Sequence, residues 1–255
     1  MHEERYKRHF SLEEVGEEGQ SLLSRSTVLV VGCGGLGVPV IQYLGGAGIG
    51  HLILFDGDQV TYSNLPRQVL YGEGDVGGSK SMIAAEKIKA NNSGIAVSAF
   101  EKHLTVEEGL EVPWKIDVIL DCTDNFASRY LINDLALLID VPVVSGALHK
   151  FDAQMTVYNY HGGPTYRCLF PNENQRGFGC DQVGVLGPLA GLIGNYMALE
   201  SMKILLKTGR VLSGCLRTFN GLSHAWNDFS YEKNEMEVEM RKTELATFYS
   251  KKQYG

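Results

Sequence analysis

The chain has 255 residues, 44% of them hydrophobic and 21% charged, which is the make-up of an ordinary globular protein. Its net charge of −7 argues against nucleic-acid binding, which needs a basic face, and its apolar runs are broken before the ~18 residues that a membrane span requires. Five scattered cysteines suit a reducing compartment better than a disulfide framework, and the acidic start Met1-His-Glu-Glu lacks the apolar segment of a secretory signal, so the expected location is cytoplasmic.

Residues 1–24 are polar and read as a helical N-terminal arm, solvated on composition alone. Val28 to Val31 is apolar on both faces and predicts a buried strand that stops at Gly32. Gly32, Gly34 and Gly37 follow in G-x-G-x-x-G spacing at the mouth of an apolar helix, Leu36 to Leu44. Glycines there allow a tight turn and let a phosphate approach backbone N–H groups at the positive end of the helix. A second apolar strand, His51 to Phe55, ends in Asp56, an acidic residue placed to accept hydrogen bonds from ribose hydroxyls. Asp56 to Gln68 is a loop, marked by Asp-Gly and a proline. A helix from Lys80 to about Asn91, which Gly78 or Ser79 can cap, leads to strands at Ile95–Phe100 and Asp117–Asp121. Asp124 or Asn125 caps a helix over Phe126–Ile139, and Val141–Ser145 continues the sheet. This β–α alternation predicts a doubly wound, Rossmann-like α/β fold with a mainly parallel sheet, its strand C-termini along one edge.

After Gly146 the pattern alternates like half-exposed strands at Gln154–Tyr160, Cys215–Phe219 and Ser223–Tyr231, which predicts an antiparallel extension of that sheet. Between them lie a Gly-rich loop, 170–183, and a long helix from Pro188 to about Lys207, whose Tyr196, Met197 and Met202 sit at core spacing. The charged stretch 232–255 reads as a frayed helix or as disordered. With no internal repeat and no long linker, 1–255 is read as one domain: arm 1–24, nucleotide-binding half 25–150, extension 151–231 and tail 232–255.

The predicted topology gathers Asp56, Asp58, Asn64, Arg67, Gln68, Lys80, Asp124 and Asn125 at the C-terminal edge of the sheet. Arg67 is a bidentate fork and Lys80 a point charge, both suited to a pyrophosphate. Asp124 suits Mg²⁺, which takes carboxylate and phosphate oxygens. Each of these residues singly is more often a surface ion pair or a helix cap. As a set they favour attack on the α-phosphate of ATP over hydride transfer, which needs no such clamp.

Gly32-Cys-Gly-Gly-Leu-Gly37 (with Gly35 its fourth residue), Asp56-Gly-Asp58, Ser63-Asn-Leu-Pro-Arg-Gln68, Lys80, and Asp121-Cys-Thr-Asp-Asn125 with Arg129 resemble the ThiF/MoeB/HesA adenylyltransferases, bacterial relatives of ubiquitin-activating enzymes. The resemblance runs from about Arg5 to Tyr231. It implies a cytoplasmic enzyme that uses ATP and Mg²⁺ to adenylylate the C-terminal Gly-Gly of a ubiquitin-like sulfur carrier, for sulfur transfer in biosynthesis of a thiamin- or molybdopterin-like cofactor. By the same resemblance Asp56 binds ribose, Asn64, Arg67 and Lys80 hold phosphates, and Asp124 takes the metal. It also implies a homodimer in which Arg8 reaches into the neighbouring subunit's site.

Cys180, in the Gly-rich loop, stands where ThiF-like members carry a cysteine that takes the acyl or sulfur group; an inert loop thiol is the competing reading. Cys33, Cys122 and Cys215 read as buried packing, and the scattered histidines are given no role. Zinc-binding relatives carry two Cys-x-x-Cys pairs. In this chain the first is Thr165-Tyr-Arg-Cys168 and no cysteine follows Cys215, so no structural zinc is expected. Other packing, with the charged tail as a candidate, must then fix the Tyr166–Pro171 turn. The alternatives are a nicotinamide-dependent Rossmann oxidoreductase, an ATP-binding scaffold without activity, or adenylylation of a peptide, a tRNA base or a small acid.

Overall fold

The computed structural model describes residues 2–171 and 184–253. In chain order the elements are α1 (His2–Phe10), α2 (Gly16–Arg25), β1 (Thr27–Val31), α3 (Gly37–Ala47), β2 (His51–Phe55), α4 (Lys80–Asn91), β3 (Ala96–Phe100), α5 (Val106–Glu111), β4 (Val118–Asp121), α6 (Phe126–Ile139), β5 (Val143–His149), β6 (Asp152–Tyr158), α7 (Tyr166–Leu169), α8 (Gly187–Leu206), β7 (Cys215–Asn220), β8 (Ala225–Ser230) and α9 (Glu235–Gln253).

The strands form one sheet in the order β3-β2-β1-β4-β5-β6-β7-β8. The first five run parallel and the last three antiparallel, so the fold is the Rossmann-like arrangement with an antiparallel extension. The central strands β1, β2 and β4 are apolar on both faces because helices cover both. One core layer gathers Val28, Val30, Ile41, Leu52 and Leu54 under α3, α4 and α8, and the other gathers Leu29, Ile53, Phe55, Ile119 and Leu135 under α5 and α6. The strand order changes direction between β1 and β4, and this switch point is where open α/β sheets leave a crevice for ligands. At the far edge every residue of β8 is exposed, more than the half-exposed strand that the alternating pattern predicts, because β8 is the edge strand and pairs only with β7.

Three expectations need correction. The N-terminal segment is not a solvated arm: Tyr6 is buried, and its hydroxyl accepts a hydrogen bond from Asn92 Nδ2 at 2.8 Å. The charged tail is a docked helix, α9, which buries Val238 and Leu245 against Leu137. These two residues stand seven apart among charged neighbours, a stripe too narrow to raise the apolar signal of the sequence. The short helix α5 was missed, although Thr105 and Glu108 form its capping box.

The long helix α8 is by length and composition apolar enough to cross a membrane, at a mean hydropathy of 1.2. More than half of that stretch is buried in the protein, with Ile193, Met197 and Ala198 in the core, so its apolarity is that of a core helix.

Candidate active site

A cavity of about 760 Å³ opens at the C-terminal ends of β1, β2 and β4. Its floor is the turn after β1. Gly32 has φ +95°, and a side chain there would meet the carbonyl oxygen of Cys122 at 2.8 Å. Gly37 is equally constrained, since its Cβ would run into the Gly32 carbonyl oxygen. Gly34 has only Gln68 within reach of a Cβ, so this part of the turn lies open to the cavity. The turn delivers the chain to α3, whose first turn carries no acidic residue to compete for an incoming anion.

Asp56 fixes this turn to the end of β2. Its Oδ2 accepts the Cys33 N–H at 2.6 Å and its Oδ1 the Asp58 N–H at 2.8 Å. Burial pushes the Asp56 carboxyl above its usual range, and the two backbone donors and Lys80 offset only part of that. Tyr71 makes a second tie: its buried hydroxyl lies 2.8 Å from the Cys33 carbonyl oxygen and 3.1 Å from that of Lys80. The Gly-rich turn and the start of α4 are thereby held to one another. A lone tyrosine gives no sequence signal for such a role.

The Lys80 ammonium is nearly buried and pairs with the exposed Asp58 carboxylate at 2.9 Å. Asp58 therefore belongs to the cluster as the partner of Lys80. Ser79 occupies the N-cap position of α4, yet its hydroxyl turns to Ser81 and leaves the helix end uncapped by a side chain. On the loop between β2 and α4, Thr61 and Asn64 form a capping box, and Arg67 donates to the Ser63 carbonyl at 2.9 Å. Gln68 lies beneath the turn, with its Oε1 buried and without a protein partner.

The opposite wall comes from the end of β4. Asp121 is buried and accepts from Thr123 N–H at 3.1 Å, Thr123 Oγ1 at 2.6 Å and Ser145 Oγ at 2.7 Å. Asp124 and Asn125 are exposed at the cavity mouth, and Asn125 caps α6 by accepting from Ser128 N–H at 2.9 Å. Arg129, one turn into α6, donates to the Thr123 carbonyl at 3.2 Å and also borders the cavity.

The sequence-predicted residues Gly32, Gly34, Gly35, Asp56, Asp58, Ser63, Asn64, Arg67, Gln68, Lys80, Asp124 and Asn125 thus line one cavity. Gly37 and Arg8 do not: Gly37 is packed against the Gly32 carbonyl beneath the turn, and Arg8 is exposed on α1, outside the cavity lining of its own chain. Cys180 lies outside the described residues. Cys33 and Cys122 are buried as expected, and burial pushes both thiols far up, so neither is a nucleophile. His103, given no role from sequence, borders the cavity beside Gly57.

Residues 6–240 match the ThiF family. The chain belongs to the ThiF family. A Thermus thermophilus relative, named sulfur carrier protein adenylyltransferase, is 45% identical over 80% of this chain and 78% of its own length. Adenylyltransferase and sulfurtransferase MOCS3 of Xenopus laevis is 46% identical over 78% of this chain and 45% of its own length, so the chain spans under half of that relative. Among solved structures, E. coli MccB with ATP superposes with a TM-score of 0.78 at 22% identity, over 91% of this chain and 72% of that one, a likeness in fold.

The cavity also fits the ligands that this family implies. Its glycines leave backbone exposed, and Lys80, Arg67 and Arg129 supply cations around it. Among the described residues no cluster of three or more His, Cys, Asp or Glu side chains could hold a metal by itself. A single exposed carboxylate, Asp124, suits Mg²⁺ carried mainly by phosphates and water.

Proposed function

We propose that this chain is an ATP-dependent adenylyltransferase acting on the C-terminal glycine carboxylate of a ubiquitin-like sulfur carrier. The observation that carries this reading is one cavity that joins a Gly-rich turn, the Lys80–Asp58 pair, Arg67 and Asp124, in a chain 45% identical to a sulfur carrier protein adenylyltransferase. Asp56 stands at the ribose end. Asn64, Arg67 and Lys80 surround the phosphates above the Gly-rich turn, and Asp124 faces the metal.

The acceptor carboxylate is already ionised, so no general base is needed. Its oxygen attacks the α-phosphorus in line, the bond to the bridging oxygen breaks, and pyrophosphate departs to leave an acyl-adenylate. Lys80 and Arg67 stabilise charge on the equatorial oxygens and on the leaving group, and the rigid turn holds the reacting phosphorus in place. Mg²⁺ bound through Asp124 would neutralise part of the triphosphate charge. Arg8, distant from its own cavity, acts across a homodimer in this reading. The free thiols of Cys33, Cys122, Cys168 and Cys215 suit a reducing cytoplasm.

The deciding experiment is ATP–pyrophosphate exchange with a carrier ending in Gly-Gly. Exchange appears only with the carrier present. Exchange that survives Asp124→Ala or Lys80→Ala would strip Asp124 of the metal or Lys80 of the phosphates.

A further inference from the structure

Beside the nucleotide cavity, on the far side of Arg129, lies a chamber of about 10 Å³, roughly one water molecule in size. Its polar walls are Asp121, Arg129, Asn133, Tyr158, Asn159 and Tyr166. Two buried polar atoms on these walls, Arg129 Nε and the Tyr166 hydroxyl oxygen, make no well-formed hydrogen bond to a protein group, although the hydroxyl lies within reach of the Arg129 guanidinium. Neither can turn elsewhere. The Tyr166 ring is held edge-on by Tyr130 and Tyr158, at centroid distances of 4.9 and 5.6 Å, and its N–H donates to Asn133 Oδ1 at 3.0 Å. Arg129 is fixed by its bond to the Thr123 carbonyl. Burial pushes the Tyr166 hydroxyl up to about 12, with Arg129 pulling the other way, so it keeps its proton at working pH.

The acceptor for these donors is at hand. A carboxylate offers roughly four lone-pair positions, and Asp121 receives three hydrogen bonds, from Thr123 N–H, Thr123 Oγ1 and Ser145 Oγ. One position remains. A water in the chamber that accepts from Arg129 Nε–H and Tyr166 O–H and donates to Asp121 gives each of these three groups a partner, and buried waters make about three such bonds.

Arg129 borders the chamber and the nucleotide cavity at once. The strand order places β1 between β2 and β4. With ribose at the end of β2 and phosphates over the turn after β1, the acceptor approaches from the β4 side, where Arg129 lies. A carboxylate approaching a triphosphate is repelled, and a guanidinium on its path offsets that repulsion with a two-pronged contact. Lys80 is engaged by Asp58, whereas Arg129, like Arg67, donates to a backbone carbonyl and borders the cavity, and of the two it is Arg129 that stands on the β4 side.

We infer that a single fixed water in this chamber joins Tyr166 and Asp121 to Arg129, and that Tyr166 is thereby a positioning residue for Arg129, which holds the acceptor's carboxylate. The second half of this inference rests on the adenylylation reading; the water does not.

The test uses Tyr166→Phe, Arg129→Lys and the double variant, with the sulfur carrier protein of Thermus thermophilus as acceptor in ATP–pyrophosphate exchange. Tyr166→Phe is expected to raise the carrier KM about fivefold and Arg129→Lys about tenfold or more, with the ATP KM unchanged in both. The double variant should be no worse than Arg129→Lys alone, because both act through one guanidinium. Tyr166→Phe should also lower Tm, since it takes a partner from the bridged water. A Tm that rises would show the hydroxyl to be a true orphan and overturn the water, as would a high-resolution crystal structure without density in the chamber. A shift of the ATP KM together with the carrier KM would assign Arg129 to the nucleotide and overturn its acceptor role. If the unsubstituted enzyme shows no carrier-dependent exchange, the adenylylation reading itself fails, and with it the acceptor role of Arg129; the Tm and the crystal then still decide the water.

Discussion

Two charged clusters meet α6, one at its N-terminal end and one at Asp134 farther along it, and they differ in what their charges do. At the cavity, Asp58 and Asp124 are exposed, Arg67 is half-buried and Lys80 is nearly buried, and together they hold donors and lone pairs in reserve. In the other cluster, Asp134 is buried and receives both Arg167, at 3.1 Å through each of two nitrogens, and Arg241. Asn133 Nδ2 adds a further donor at 3.2 Å, and Arg167 lies 4.9 Å over the Tyr130 ring. Every charge of the second cluster is engaged by protein groups, whereas the first keeps groups turned to the cavity. A charge cluster that closes on itself builds structure, whereas one left open is built to meet a ligand.

The closed cluster also fixes the turn that zinc would hold in relatives with paired cysteines. Arg167 comes from α7 and Arg241 from α9, and both converge on α6. The Cys168 sulfur accepts the N–H of Thr165 and of Asn234, each at 3.3 Å, so the lone thiol is used as a hydrogen-bond acceptor between α7 and the start of α9. The tail, a candidate for this packing from sequence, supplies it through Arg241.

The largest expected effect tests the closed cluster. Asp134→Ala removes the buried carboxylate that Arg167 and Arg241 share and should cost about 3–5 kcal/mol of unfolding free energy in urea titrations. A loss below about 1 kcal/mol would show the cluster to be incidental. At the open cluster the same kind of change should spare folding and strike chemistry. Lys80→Ala is expected to cut ATP–pyrophosphate exchange about 10²–10³-fold with an unaltered urea midpoint, and a variant that unfolds instead would blur the contrast.

Acid should separate the clusters further. Burial pushes the Asp134 carboxyl up, but hydrogen bonds from Arg241 and Arg167 together outweigh it and hold the group below its usual range. Its folded value is thus below the unfolded one. The stability it contributes is complete above the ordinary Asp value of about 3.9 and is lost as pH falls through the lower folded value. Asp134→Asn should remove that part of the acid dependence in unfolding measured from pH 6 downward. Asp56 has the opposite sign: its carboxyl is raised, so ATP binding should weaken on acidification at a pH above the ordinary carboxylate range, seen as a rising ATP Kd in calorimetry. Loss of affinity only below that range would contradict the burial of Asp56.

The smallest expected effect is none. Exhaustive treatment with a zinc chelator should leave Tm unchanged, because ion pairs and packing hold α7 and α9. Metal analysis that finds about one tightly held zinc per chain would overturn this.

The sequence by itself determined the parallel half and the site that it carries. Helices were legible at about Lys80–Asn91 and at Phe126–Ile139, because apolar spacing and a capping residue at Asp124 or Asn125 act within a few residues of each other. The Gly32–Gly37 turn and Asp56 were legible for the same reason, since each depends on local backbone geometry. Only the tertiary structure decided that Lys80 pairs with Asp58, that Tyr71 ties two loops together, and that Arg241 travels 107 residues along the chain to share Asp134 with Arg167. Such partners are chosen by distance in space, and a charged residue in a linear sequence looks the same whether it faces water, a ligand or a buried counter-ion.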